Sequence, residues 1–271
     1  MSASDDLERF RTGAAQYAAY LETPEGRLRL DLTFAYLQEF LPTATQTLRA
    51  LDLGGGTGAI AVRLARLGVQ VMLLDSSPAM LDLAERAARQ AGVAERIRLE
   101  HGDALQLAAR FSAESFDIVL CHNVLEYVND PAALLRAAAQ RLRNPFSILS
   151  ILVRNRAGEV LKAAIKDGDL ATTEHNLTAE WAQESLYGGR VRLFTADSLQ
   201  AILIPSSLSL SAQRGVRVLS DYLPPRISRI DEYERIFELE YKLGRQQEFA
   251  AIARYTHCLA HRPDPVMKDA A

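Results

Sequence analysis

One stretch constrains this chain more than any other: Leu51-Asp-Leu-Gly-Gly-Gly-Thr-Gly58, set between an apolar run and an amphipathic segment. Gly54, Gly55, Gly56 and Gly58 give a backbone that can turn sharply and approach a ligand where a Cβ would clash. A glycine-rich turn between a strand and a helix has the same composition, and a nucleotide-cofactor loop is itself such a turn. The stretch alone therefore leaves the choice between packing and ligand open.

The surrounding pattern supplies a fold. Residues 48–53 predict a strand, 58–67 a helix, and 69–74 a second strand ending at Asp75. Pro78 opens a helix to about residue 91, since proline suits a first helical turn. Short strands are expected at 97–99 and 116–121, a helix from Pro131 to Leu142, and a fifth strand over 146–153. Strands alternating with helices at this spacing predict an α/β fold, a doubly wound, Rossmann-like, seven-stranded, mostly parallel sheet. In such sheets ligands bind outside the carboxyl ends of the strands, where the order reverses.

The flanks differ. Residues 1–47 predict an N-terminal helical cap of one or more helices, with 5–41 reading as helical and Pro42 ending it, ahead of a domain spanning 48–271. Residues 154–205 are more polar, carry Gly158, Gly168 and Gly188-Gly189, and predict an insertion or lid after the fifth strand, with Trp181 between two helical stretches. A strand over 208–220, an acidic helix over 229–243 and a strand over 252–260 predict an antiparallel pair closing the sheet edge.

At 271 residues the chain is sized for one such core with an insertion. Its start is acidic and lacks the apolar segment of a secretory signal, and no run approaches the roughly 20 apolar residues of a membrane span, so a cytoplasmic protein is expected. Cys121 and Cys258 stand singly in apolar runs, which predicts core thiols and no metal site. The net charge of −3 gives no whole-chain attraction to a polyanion, although a local basic surface could still meet phosphates.

Two cofactor classes fit the glycine loop. Gly54, Gly56, Ala59 and the acid Asp75 satisfy a dinucleotide turn. Asp52 before an offset glycine pattern satisfies an S-adenosylmethionine loop equally well. Downstream, His101-Gly-Asp103-Ala104 follows the third strand and Cys121-His-Asn-Val-Leu-Glu126-Tyr-Val-Asn-Asp-Pro131 follows the fourth. In this order the set resembles the class I S-adenosylmethionine-dependent methyltransferases over residues 48–153. The resemblance implies S-adenosyl-L-methionine as cofactor. Asp52 and the Gly54, Gly55, Gly56 and Gly58 backbone would face its amino-acid part. Asp75, with Ser76, would take the ribose hydroxyls, Asp103 and Ala104 the adenine, and His122 would line the pocket. Taken singly, Asp75 and Asp103 could as well cap helices, and His122 could be a satisfied core histidine.

The C-terminal third narrows the resemblance. Gly215-Val-Arg-Val-Leu-Ser-Asp-Tyr-Leu223, Asp231-Glu-Tyr233, Glu238-Leu-Glu240, Arg245-Gln246 and Arg254-Tyr-Thr-His257, with Asn155 and Gly158, are similar to the bacterial tRNA 5-carboxymethoxyuridine methyltransferase family. That family has an arginine on the cofactor at the position of Arg29. It departs from this chain in a lysine-rich run, reduced here to Arg190 and Arg192, and in a Pro-Gly-Gly turn replaced by residues 143–146. The implied reaction methylates the carboxylate of a modified wobble uridine in the tRNA anticodon region. A carboxylate is already ionised, so no catalytic base is expected. Arg154, Asn155, Arg217, Tyr222, Arg245 and Tyr255 become the expected substrate contacts, arginine because its planar fork matches a carboxylate. The alternative is a methyltransferase acting on the carboxylate or hydroxyl of a small molecule.

Overall fold

The computed structural model describes residues 3–43, 46–184 and 188–263. Two helices come first, α1 (Ala3–Glu22) and α2 (Pro24–Gln38). The cap helices expected over 5–41 divide at Thr23. Thr23 Oγ1 accepts from Gly26 N and Pro24 opens the second helix, since proline cannot continue the first. A Cβ on Gly26 would stand 2.0 Å from Tyr20 O, so the elbow closes only around glycine.

The alternation follows as β1 (Arg49–Leu53), α3 (Ala59–Arg66), β2 (Gln70–Asp75), α4 (Pro78–Gln90), β3 (Ile97–His101), the short α5 (Leu107–Arg110), β4 (Ile118–His122), α6 (Pro131–Ala139) and β5 (Ile148–Arg154). Pro78 and Pro131 stand in first turns as expected, behind the N-caps Ser77 and Asp130. The polar segment after β5 contains α7 (Arg156–Leu161), a π-helical turn at Lys162–Lys166, α8 (Leu170–Asn176), a two-stranded hairpin of β6 (Trp181–Glu184) and β7 (Gly189–Arg192), and α9 (Ala196–Leu203). Trp181 begins a strand and does not separate two helices.

The chain ends with β8 (Ser209–Val216), α10 (Tyr233–Leu243), the short α11 (Gln247–Ala250) and β9 (Tyr255–His261). β8 stops short of the expected residue 220, because Arg217 takes a left-handed φ of 62° and turns the chain. β9 starts later than expected because Asn155 Nδ2 donates to both Ala251 O and Ala253 O and holds a turn there.

The seven-stranded sheet has the order β3-β2-β1-β4-β5-β9-β8, with β9 antiparallel to both neighbours and the first five strands parallel. The order reverses between β1 and β4. Side chains alternate between two apolar layers, as parallel strands covered on both faces require. Ala50, Ile118, Leu120 and Leu152 join Leu32, Tyr36, Leu37 and Leu64 on one face. Leu51, Leu53, Val119, Cys121 and Ile151 join Leu107, Leu134 and Leu199 on the other. Both cysteines are buried free thiols. α1 packs on α2 and α4 and brings Tyr17, Tyr20 and Leu21 to the cavity, while α2 packs on α3, α10 and the sheet face and brings Arg29, Leu30 and Thr33 there. Among the described residues no helix is long and apolar enough to cross a membrane.

Candidate active site

A cavity of about 750 Å³ opens at the switch point, within the usual range for a small-molecule site. Its first wall is made largely of backbone. Gly54, Gly56 and Gly58 all take positive φ, and a Cβ on Gly55 would lie 2.5 Å from Leu73 Cγ and 2.9 Å from Asp52 Cγ. Asp75 ties this loop to the next: Gly56 N donates to its Oδ2 and Ser77 N to its Oδ1, each at 2.8 Å. Each oxygen keeps a further lone pair for a ligand. Burial, opposed by those backbone donors, raises the Asp75 carboxyl above its ordinary value. Burial, with Asp75 alongside, pushes Asp52 up to about 7.

Ser76, Asp103, Ala104 and His122 line the same wall, and Gly58 lies just behind it as the residue that starts α3. Asp103 is exposed and caps a short turn, with Oδ1 accepting from Leu105 N at 2.9 Å, which leaves Oδ2 clear. The capping and ligand readings of Asp75 and Asp103 are therefore compatible. His122 is partly buried, and its Nε2 lies 2.7 Å from Ser150 Oγ.

Arg29 sits between the walls, 5% exposed. Nη1 donates to Asn123 Oδ1 at 3.1 Å and Nη2 to Tyr17 OH at 2.8 Å. The rings of Tyr17, Tyr20 and Tyr255 surround it at 5.6, 5.2 and 5.6 Å. Among the described residues it has no carboxylate partner, and its Nε has no hydrogen bond. A buried guanidinium held only by neutral groups is suited to receive an anionic ligand. Asn123 and Arg217, both in the cavity wall, are among the few non-glycine residues at positive φ. Such conformations persist where surrounding structure imposes them.

The second wall is made of long side chains. Arg154 pairs with Glu159 at 3.2 Å and Glu184 at 3.3 Å. Arg254 Nη2 pairs with Glu159 at 3.0 Å and its Nε lies 3.1 Å from Asp221, while Nη1 donates to Gly158 O. Arg217 pairs with Asp221 and donates to Tyr20 OH at 2.8 Å. Tyr255 stands among them, buried. Burial would raise its phenol, but the Arg154, Arg29, Arg217 and Arg254 guanidinium groups outweigh it and bring the group down to about 8. Tyr255 is thus set among guanidinium groups that are themselves paired with Glu159, Glu184 and Asp221.

Of the expected substrate contacts, Arg154, Arg217 and Tyr255 line this wall, and Asn155, Tyr222 and Arg245 do not. Asn155 spends its amide capping α7 and holding the turn before β9. The Tyr222 phenol reaches Gly158 O at 3.4 Å. Arg245 lies at the surface against Tyr241 and Glu39. Arg254, Tyr17, Tyr20, Asn123 and Glu126 belong to the cavity and were not expected there. Arg254 comes to the cavity beside Tyr255, which pairs directly with Arg154 across β5 and β9.

Residues 44–214 match a family described as a methyltransferase domain. The chain is 31% identical over 251 residues to the tRNA 5-carboxymethoxyuridine methyltransferase of Escherichia coli strain K12, covering 89% of this chain and 90% of that one. It is 36% identical over 117 residues to a ubiquinone biosynthesis O-methyltransferase of Xanthomonas axonopodis, covering 43% and 47%. Among solved structures, magnesium protoporphyrin IX methyltransferase from Synechocystis with bound S-adenosylhomocysteine (SAH) superposes with a TM-score of 0.64 at 15% identity, over 97% of this chain and all of that one. A parallel sheet with its cavity at the β1/β4 switch point, a glycine loop wired to Asp75, and a full-length relative together establish that this chain belongs to the S-adenosylmethionine-dependent methyltransferases.

Proposed function

We propose that the chain methylates the carboxylate of 5-carboxymethoxyuridine at the tRNA wobble position. The observation that carries this reading is the likeness to the Escherichia coli enzyme over nine-tenths of both chains. S-adenosylmethionine, when bound, supplies an electrophilic methyl on a sulfonium. The Gly54–Gly58 backbone, Asp52, Asp75, Ser76, Asp103, Ala104 and His122 would hold it, with Arg29 meeting its carboxylate. The fit is chemical: glycine where a Cβ would clash, acceptor capacity on Asp75 and Asp103, and the Arg29 guanidinium, buried in the cavity wall with no carboxylate partner among the described residues.

Arg154, Arg217 and Arg254 would orient the substrate carboxylate, and Tyr255 would lie beside it. As the ester bond forms, the sulfur keeps the electron pair of the breaking carbon–sulfur bond and the nucleophile loses its charge; no proton moves. The residues act by positioning and by excluding water from the nucleophile. A tRNA substrate would also place the protein in the cytoplasm.

The ubiquinone-type matches offer a second reading, transfer to a hydroxyl. A phenol needs a base to remove its proton, whereas arginines lining the cavity suit a nucleophile that arrives as a carboxylate. Mass analysis of tRNA nucleosides from a strain lacking the gene tests the proposal. The methyl ester should disappear and the free acid accumulate; unchanged ester would exclude the tRNA reading.

A further inference from the structure

Ser150, in β5, lies between two imidazoles. Its Oγ is 2.7 Å from His122 Nε2 on one side and 2.7 Å from His257 Nε2 on the other. The rings stand edge to face with centroids 5.6 Å apart. Ser150 and His257 are fully buried, and His122 is the member of the set that reaches the cavity.

A hydroxyl has one proton, so it donates to one imidazole and accepts from the other. The two histidines therefore carry opposite tautomers. Neither is charged: burial holds His122 down to about 3, with Arg29 adding to the effect, and burial with His122 and Arg214 lowers His257 further from its ordinary value. The direction of the chain is decided at its closed end. His257 Nδ1 is buried and has no hydrogen-bond partner among the described residues. A proton there would make an orphaned buried donor, which folded proteins tolerate less well than an unused acceptor. His257 thus carries its proton on Nε2 and donates to Ser150, and Ser150 donates to His122 Nε2. The proton of His122 is left on Nδ1.

We propose that Ser150 and His257 are positioning residues that fix His122 as its Nδ1–H tautomer, so that the ring offers the bound cofactor a neutral donor aimed at an oxygen acceptor. This rests on the placement of the cofactor at the ends of β1 to β4. Neutrality matters because a charged imidazolium would oppose a sulfonium ligand, and the tautomer matters because a bare nitrogen would repel the ligand's ribose and carboxylate oxygens. The sequence offers no sign of the arrangement, since its three members come from three strands that are neighbours only in the sheet.

The full chain, labelled with nitrogen-15 in histidine and free of ligand, tests the tautomers by long-range proton–nitrogen NMR near neutral pH. Nδ1–H at His122 with Nε2–H at His257 is expected; the reverse pattern, or averaging at His122, overturns the relay whatever the cofactor does. Adding SAH should shift His122 Nδ1. With the expected tautomers and no such shift, the placement of His122 against the cofactor fails, and the proposal with it. Ser150→Ala should release His122 into a mixture of tautomers and weaken SAH binding about tenfold by calorimetry, the loss of one buried hydrogen bond, while Ser150→Thr, which keeps the hydroxyl, should bind more nearly as the native protein does. Native affinity in Ser150→Ala would refute the positioning role, and if that variant does not fold, the spectrum of the native chain still decides.

Discussion

The two walls of the cavity are built by different means. The wall at β1 to β4 is mostly backbone: positive-φ glycines, strand ends and acids whose oxygens are already anchored by main-chain donors. The wall at β5, β8 and β9 is mostly side chain, with guanidinium groups spread over a carboxylate network of Glu159, Glu184 and Asp221. A backbone wall suits what every reaction of the family shares, because its glycines leave little freedom for substitution. A side-chain wall can be changed one residue at a time, and that is where substrate choice can diverge.

If the walls are separable in this way, damage to each should have a distinct signature. The largest effect is expected from Asp75→Ala, which would remove the proposed charge-assisted bonds to the ligand, worth about 1.5–3 kcal/mol each, and leaves Gly56 N and Ser77 N without their acceptor. Calorimetry with SAH should show affinity reduced by one to two orders of magnitude or more. Normal binding would remove Asp75 from the ribose contact.

Next is Arg217→Ala. Asp221 would keep Arg254, so the fold should survive. Turnover should fall roughly tenfold or more, on the scale of one charged hydrogen bond, with SAH affinity within about twofold of native. A matching loss of cofactor affinity would break the separation of the walls.

A smaller effect concerns pH. Tyr255 is neutral below about 8 and anionic above it. Its negative charge would then cancel part of the guanidinium field that receives the substrate, so KM for substrate should rise severalfold above pH 8 while cofactor affinity holds. Tyr255→Phe should flatten that limb; an unchanged limb would assign it to another group. The smallest effect is expected from Arg245→Ala, whose exposed position predicts a stability change within about 0.5 kcal/mol and unaltered turnover.

The contrast also explains what could be read from the sequence. The backbone wall was legible because each part follows a strand within a few residues, so order along the chain reports order in space. The second wall was legible only in part. Arg154 and Asn155 are adjacent, yet strand alternation sends one into the cavity and leaves the other to hold a turn. Tyr222 and Arg245 have suitable chemistry, but residue type says nothing about direction. Arg254 was missed because its role depends on Glu159 and Asp221, which meet it only in the folded protein.

The central claim is that the second wall presents a tRNA carboxylate to the methyl donor held by the first. The most direct measurement incubates the purified protein with S-adenosylmethionine and tRNA bearing unesterified 5-carboxymethoxyuridine, followed by mass analysis of the released nucleosides. The account predicts conversion of the free acid to its methyl ester, slowed roughly tenfold or more in Arg217→Ala. Unconverted tRNA, with methyl transfer instead to a quinol or another small hydroxyl compound under the same conditions, would contradict it.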